Sequence, residues 1–190
     1  MANSDAAFGL LPKCDNGSAP YNGGVNLYYV PASDTTALFV GDPVTRANGG
    51  DANGIGAVTR TTGTNQVDGV VVGFVPKPGA AAGSKSAVDN GYRAASTEDY
   101  VLVMDNADDI EFEVQEDSVG GALTAADIGK KVNFIYGAGN TASKLSGVEI
   151  DSSTKGSGVQ ALLVGLIQRE DNELGNNAKW LVRLLPVTPA

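Results

Sequence analysis

The 190-residue chain carries 42% apolar but only 6% aromatic side chains, enough to bury one good core and too few residues for two large domains. Its formal charge of -9, with no local cluster of Lys and Arg, argues against a nucleic-acid partner. The absence of His and the single Cys14 remove the usual general base near neutral pH, the commonest metal ligand, an internal disulfide and a zinc site.

The 25 glycines and the many Asn, Asp, Ser and Thr residues predict frequent turns. An all-β fold follows, a compact β-barrel or β-sandwich with Gly-rich loops. "MANSDAAFGLLPKCD" has no basic start ahead of a sustained apolar stretch, and nowhere do apolar residues run long enough to span a bilayer. The expectation is a soluble chain made in the cytosol, with no membrane partner.

Residues 1–24 are small, polar and Gly/Pro-rich apart from "FGLLP", and predict an extended N-terminal arm ahead of a β-rich domain over 25–190. Strands are expected in "VNLYYVP", "TALFVGDPVT", "AVTRTT" and "QVDGVVVGFVP", joined through turn chemistry such as "NGGDANG". "KPGAAAGSKSA" predicts a loop near the middle of the chain. Tyr100 to Met104 are apolar on both parities, which suits a strand covered on both faces, and Asp105 to Asp109 supply a turn. In "IEFEVQ" the alternation places Ile110, Phe112 and Val114 on one face and Glu111, Glu113 and Gln115 on the other. Thr124, with Asp127 three residues on and Gly129 as a stop, predicts one short helical turn over 124–128, before a strand at Lys131 to Tyr136. "VQALLVGLIQ" and "KWLVRLL" complete the strands, with Trp180, Val182 and Leu184 sharing a core face.

A faint repeat runs through these strands. "FVGDPV" followed by "GVVVGFV" is echoed by "DIGKKV" followed by "ALLVGLI", with Gly41 to Gly73 spaced much as Gly129 to Gly165. Two related β-modules divided near 76–90, or chance in a Gly/Val-rich chain, would produce it.

"YVLVMDNADDIEFEVQED" concentrates seven carboxylates with no basic residue. An EF-hand loop is excluded, because Ala107 and Ile110 stand where an acid or amide and a Gly are required. Glu111 and Glu113 on one strand face would lie roughly 7 Å apart, within the range of an inverting glycosidase, but any strand with alternating acids gives that spacing. The reading adopted is a solvated acidic face that keeps a β-edge unpaired. "GAGNTASK" has Ser143 where a phosphate loop needs Gly before Lys144, and "GDANGIG" lacks the spacing and the helix, so both predict hairpin loops. Cys14, beside Lys13, has no His to activate it. No catalytic, cofactor-binding or metal residue is assigned.

"YYVPASDTTALFVGDPVT", "GVVVGFV", "YVLVMDN", "DIGKKVNFIYGAG" and "GLIQREDNELGNNAKWLVRL" together resemble virion structural proteins of tailed bacteriophages, above all capsid decoration or head cement proteins. The similarity runs in pieces over most of residues 20 to 185, as phrasing without an invariant motif. It implies a β-rich, non-enzymatic protein made in the bacterial host cytoplasm and placed on the outer surface of the virion capsid. Its implied partners are the major capsid protein and further copies of itself as a homo-oligomer. Two other classes are weighed beside it. A tail or fibre component binding a host-surface glycan would show an exposed aromatic cleft. A carboxylate-dependent glycoside hydrolase would show a concave acidic pocket around Glu111 and Glu113.

Overall fold

The computed structural model describes residues 3–15, 19–77, 91–105 and 109–186. It is all-β: thirteen strands, with helix confined to the one-turn 3-10 segments Ala125–Asp127 and Ser152–Thr154 among the described residues. The first of these has Thr124 and Asp127 in a reciprocal capping box, and Gly129 follows at φ +85°, as the sequence predicts. The loop expected in "KPGAAAGSKSA" lies outside the described residues from position 78 onward.

Strands β2 (Asn26–Val30), β4 (Pro43–Gly50), β5 (Gly56–Arg60), β6 (Gly69–Val75) and β8 (Asp99–Met104) close into a barrel in the order β2-β5-β4-β6-β8. The short strands β3 (Leu38–Phe39) and β7 (Tyr92–Arg93) pair beside it. Strands β1 (Leu11–Asp15), β9 (Ile110–Gln115), β10 (Lys131–Gly137), β11 (Gly147–Asp151), β12 (Ala161–Leu166) and β13 (Lys179–Leu184) form a six-stranded sheet in the order β1-β9-β13-β12-β10-β11. That sheet curls until β11 meets β9, through a parallel bridge from Glu116 to Ile150 and the Asp117 amide donating to the Ile150 carbonyl at 3.0 Å.

The two halves are the same module. Cyclic order β2-β8-β6-β4-β5 in the first corresponds to β9-β13-β12-β10-β11 in the second. Their registers agree where these strands meet: Pro43 pairs with Val70 and Val44 with Gly69, as Lys131 pairs with Leu162 and Val132 with Ala161, although β4 has a bulge between Ala47 and Gly50 that β10 lacks. A bulge interrupts β6 between Val71 and Gly73 and β12 between Leu163 and Gly165. Gly41 donates to the Val71 carbonyl and Gly129 to the Leu163 carbonyl, each at 2.8 Å. Both of these glycines have positive φ, +90° and +85°, which explains why each copy of the module has glycine there. The glycine spacing heard in the sequence thus falls on structurally equivalent positions.

Three sequence expectations are corrected. The described residues among 1–24 do not stand apart as an arm: β1 pairs antiparallel with β9, Leu10 is fully buried, and Tyr21 and Val25 pack against the same apolar cluster. The halves do not divide near 76–90, because β8 returns to the first barrel and the chain crosses to the second only between Met104 and Ile110. Glu111 and Glu113 are not solvated; all six residues of β9 are buried.

Two cores result. Val30, Leu38, Val44, Val58, Val71, Val101 and Val103 fill the first barrel. The second cluster joins Phe112, Val114, Phe134, Leu163, Trp180 and Val182 to Val67, Val70 and Met104 from the outside of the first barrel. Val101 and Val103 of β8 therefore face one cluster and Met104 the other, with Leu102 half-buried, which accounts for the double apolar parity of Tyr100 to Met104.

Candidate functional site

Alternation in β9 places Phe112 and Val114 in the core, fully buried, and turns Glu111, Glu113 and Gln115 to the opposite side of the sheet. That second side is covered by charge. Arg183, the register partner of Glu111 on β13, reaches its Oε1 at 2.9 Å, while the Cys14 thiol points at its Oε2 at 3.4 Å. Glu113 receives Lys13 Nζ at 2.7 Å from β1 and Arg169 Nη2 at 2.9 Å from the β12–β13 connection. Gln115 accepts the Ala6 amide at 3.0 Å and donates to the Ser4 and Asn177 carbonyls at 2.6 and 3.0 Å.

Glu113 is only 2% exposed, and removing its cations would leave an uncompensated buried charge. Each carboxylate is thus held by a lysine or guanidinium. This is the geometry of a structural clamp on the N-terminal strand. A groove of about 600 Å³ lies between the segment Asp5–Phe8 and Asn140, Ser143 and Leu145, with Lys179 at its wall; neither Glu111 nor Glu113 lines it.

The remaining sequence candidates are dispersed. Asp105 accepts from Tyr28 Oη at 2.6 Å and Asn26 Nδ2 at 2.8 Å and pairs with Arg46 at 3.4 Å, plugging one end of the first barrel; Asp108 lies outside the described residues. In "GDANGIG", Asp51 Oδ1 accepts the amides of Asn53 and Ile55, fastening the β4–β5 hairpin. In "GAGNTASK", Asn140 Oδ1 accepts the amides of Ala142 and Ser143, and Lys144 Nζ sits 4.9 Å over the Tyr92 ring. Both loops are turns, as predicted. Trp180 is fully buried with Val182 and Leu184. Among the described residues no three His, Cys, Asp or Glu side chains converge as a metal would require.

Several consequential groups carried no local sequence signal. Arg93 is fully buried, and its guanidinium donates to the carbonyls of Thr36, Pro31, Asp34 and Thr97, with Asp34 Oδ1 at 3.7 Å; burial pushes its pKa down. Asp42, also fully buried, is pushed up by burial and pulled back by Arg60 at 2.9 Å. The Ser146 hydroxyl adds a 2.7 Å bond to Asp42, and Arg60 Nη2 continues to the Gly137 carbonyl at 2.7 Å, so this cluster joins the two modules. Glu116 is fully buried with Oε2 accepting the Leu123 amide at 2.7 Å and Oε1 unpaired among the described residues; burial raises its pKa to about 7. Alignment of the two ladders places Glu116 where the first module buries Val30.

No protein-family model matches the chain, and no curated protein or solved structure matches it either.

Proposed function

We propose that this chain is a structural virion protein that decorates a phage capsid and stabilises it by bridging shell subunits. The observation that supports this reading best is the fusion of two like barrels through a shared buried cluster, with large apolar side chains left uncovered outside it: Val119, Ile128, Ile135, Val159 and Leu174. Uncovered apolar groups suit a part that docks. The carboxylates with most chemical promise are committed to ion pairs: Glu113 with Lys13 of β1 and with Arg169, and Glu111 with Arg183 of β13. Cement function asks for many modest contacts repeated over a lattice, and repeated docking raises the effective concentration for each further contact.

The test adds purified protein to bare expanded heads and measures bound copies together with the melting of the shell. Saturable binding and a raised shell melting temperature are expected, because a ligand of the assembled state shifts the equilibrium away from disassembly. Absence of binding under conditions where native decorated heads are stable would reject this reading in favour of a tail or fibre component.

A further inference from the structure

The contact between the two modules is head to tail, and each module carries a copy of both halves of it. The first module offers one surface: Val67 and Val70 are buried in the shared cluster, and Val40 forms a bridge with Leu145 while its carbonyl accepts the Ser146 amide at 2.9 Å. The second module offers the end of its barrel, built from the β10–β11 hairpin and Gln160, whose Nε2 donates to the Gly63 and Asn65 carbonyls. Because the contact is heterologous, one surface of each kind is left unused.

Matching the ladders identifies the unused pair. Ile128, Val159 and Leu162 stand in the second module where Val40, Val67 and Val70 stand in the first. They keep the apolar character of a buried interface, yet Ile128 is 47% and Val159 48% exposed, against 4% for Val67. The unused barrel end belongs to the first module. There Asn26, Arg46, Asp68 and Asp105 replace Phe112, Phe134, Gln160 and Leu184.

The charges have changed in a compensating sense. Buried Asp42 of the used surface becomes exposed Lys130, followed by exposed Lys131, while the free barrel end gains Asp68 and Asp105. Lys130 pairs with Asp127 at 2.8 Å and Asp105 with Arg46 at 3.4 Å, while Asp68 Oδ2 accepts the Arg46 backbone amide at 2.6 Å and leaves its other oxygen to face a cation such as Lys131 of a second copy.

We propose that the Ile128, Val159 and Leu162 strip of one copy docks on the Asn26, Arg46, Asp68 and Asp105 barrel end of a second copy, repeating between chains the contact made within the chain. A polar socket suits a contact that forms after folding, since the free end must be stable in water before it is covered. The interface is heterologous, so it closes into a ring or grows as an open series according to the rotation between copies. It stands apart from the virion reading, because the isolated chain suffices to test it.

Sedimentation velocity from about 1 μM to about 1 mM, a range that brackets weak self-association, provides the test at low and high salt. The wild type is expected to associate, less so at high salt. Val159→Asp or Lys131→Glu should weaken association by about tenfold or more, and so should Asp68→Lys. Asp68→Asn, nearly isosteric, serves if Asp68→Lys melts abnormally. The decisive arm mixes Val159→Asp with Asp68→Lys: each lacks a different half, so the mixture should form a one-to-one dimer that neither forms alone. A wild type that stays monomeric overturns the proposal, as does association indifferent to these changes. Loss of association with Val159→Asp that the mixture does not restore indicates a two-fold contact and also overturns it.

Discussion

Asp68 and Gln160 occupy the same place in the two barrels and make the same bond: Asp68 Oδ2 accepts the Arg46 amide at 2.6 Å, and Gln160 Oε1 accepts the Phe134 amide at 2.8 Å. Each also donates its own amide across the ladder, to the carbonyls of Val44 and Val132 respectively. A side chain thus continues a strand ladder beyond the last backbone pair. Gln160 is buried and Asp68 only half-buried. Gln160→Ala should therefore cost about 1–3 kcal/mol by orphaning the Phe134 amide, and Asp68→Ala about 1 kcal/mol or less because water can reach Arg46. Urea denaturation of the two variants measures the difference.

Deleting residues 1–15 is expected to destabilise the fold, since it removes β1, Leu10 and the Lys13 partner of Glu113 together. Leu10→Ala alone should cost about 2–5 kcal/mol, the usual range for a large apolar side chain lost from a core. A truncated chain that melts with the full-length protein would contradict the placement of β1.

Arg93 tests buried polar satisfaction. Lysine keeps the charge but cannot match a planar guanidinium bonded to several carbonyls. Arg93→Lys should lose on the order of 3 kcal/mol, comparable with breaking a buried charge network, and chemical denaturation followed by Trp180 fluorescence reads it.

Stability should fall from mildly acidic to mildly alkaline pH on account of Glu116 and Glu149, both raised by burial from 4.5 to about 7, Glu149 with help from Asp5 and Asp117. Below pH 4.5 folded and unfolded chains both hold these protons, so the groups contribute no slope. Between 4.5 and 7 the unfolded chain has released protons that the folded chain keeps, so unfolding is favoured as pH rises, and above 7 the loss is complete. Asp127, lowered to about 2 chiefly by Lys130, acts in the opposite sense, stabilising above its ordinary 3.8 and losing that contribution as pH falls toward 2. Glu116→Gln keeps an acceptor for the Leu123 amide and removes one titration, so its melting temperature should exceed that of the wild type at pH 8 and approach it at pH 5. Parallel curves for the two proteins across that range would exclude Glu116 as a source of the slope.

The sequence by itself determined the local features. Alternation in "IEFEVQ" assigned Phe112 and Val114 to the core, the Thr124 and Asp127 pair marked the helical turn, and the Trp180, Val182 and Leu184 parity marked a buried face. Double apolar parity announced that β8 is covered twice, because Val101 and Val103 enter one apolar cluster and Met104 on the opposite face enters the other. The second covering of β9 is ionic, so its acids read as a wet face until Lys13, Arg169 and Arg183 arrive from strands and loops distant in sequence. The same limit applies to the modules: the glycine echo was audible, but assigning β8 to the first barrel required its pairing with β2 and β6. Period and capping depend on neighbours within a few residues, whereas what covers a face, closes a barrel or neutralises a buried carboxylate depends on long-range pairing, which only the tertiary structure decided.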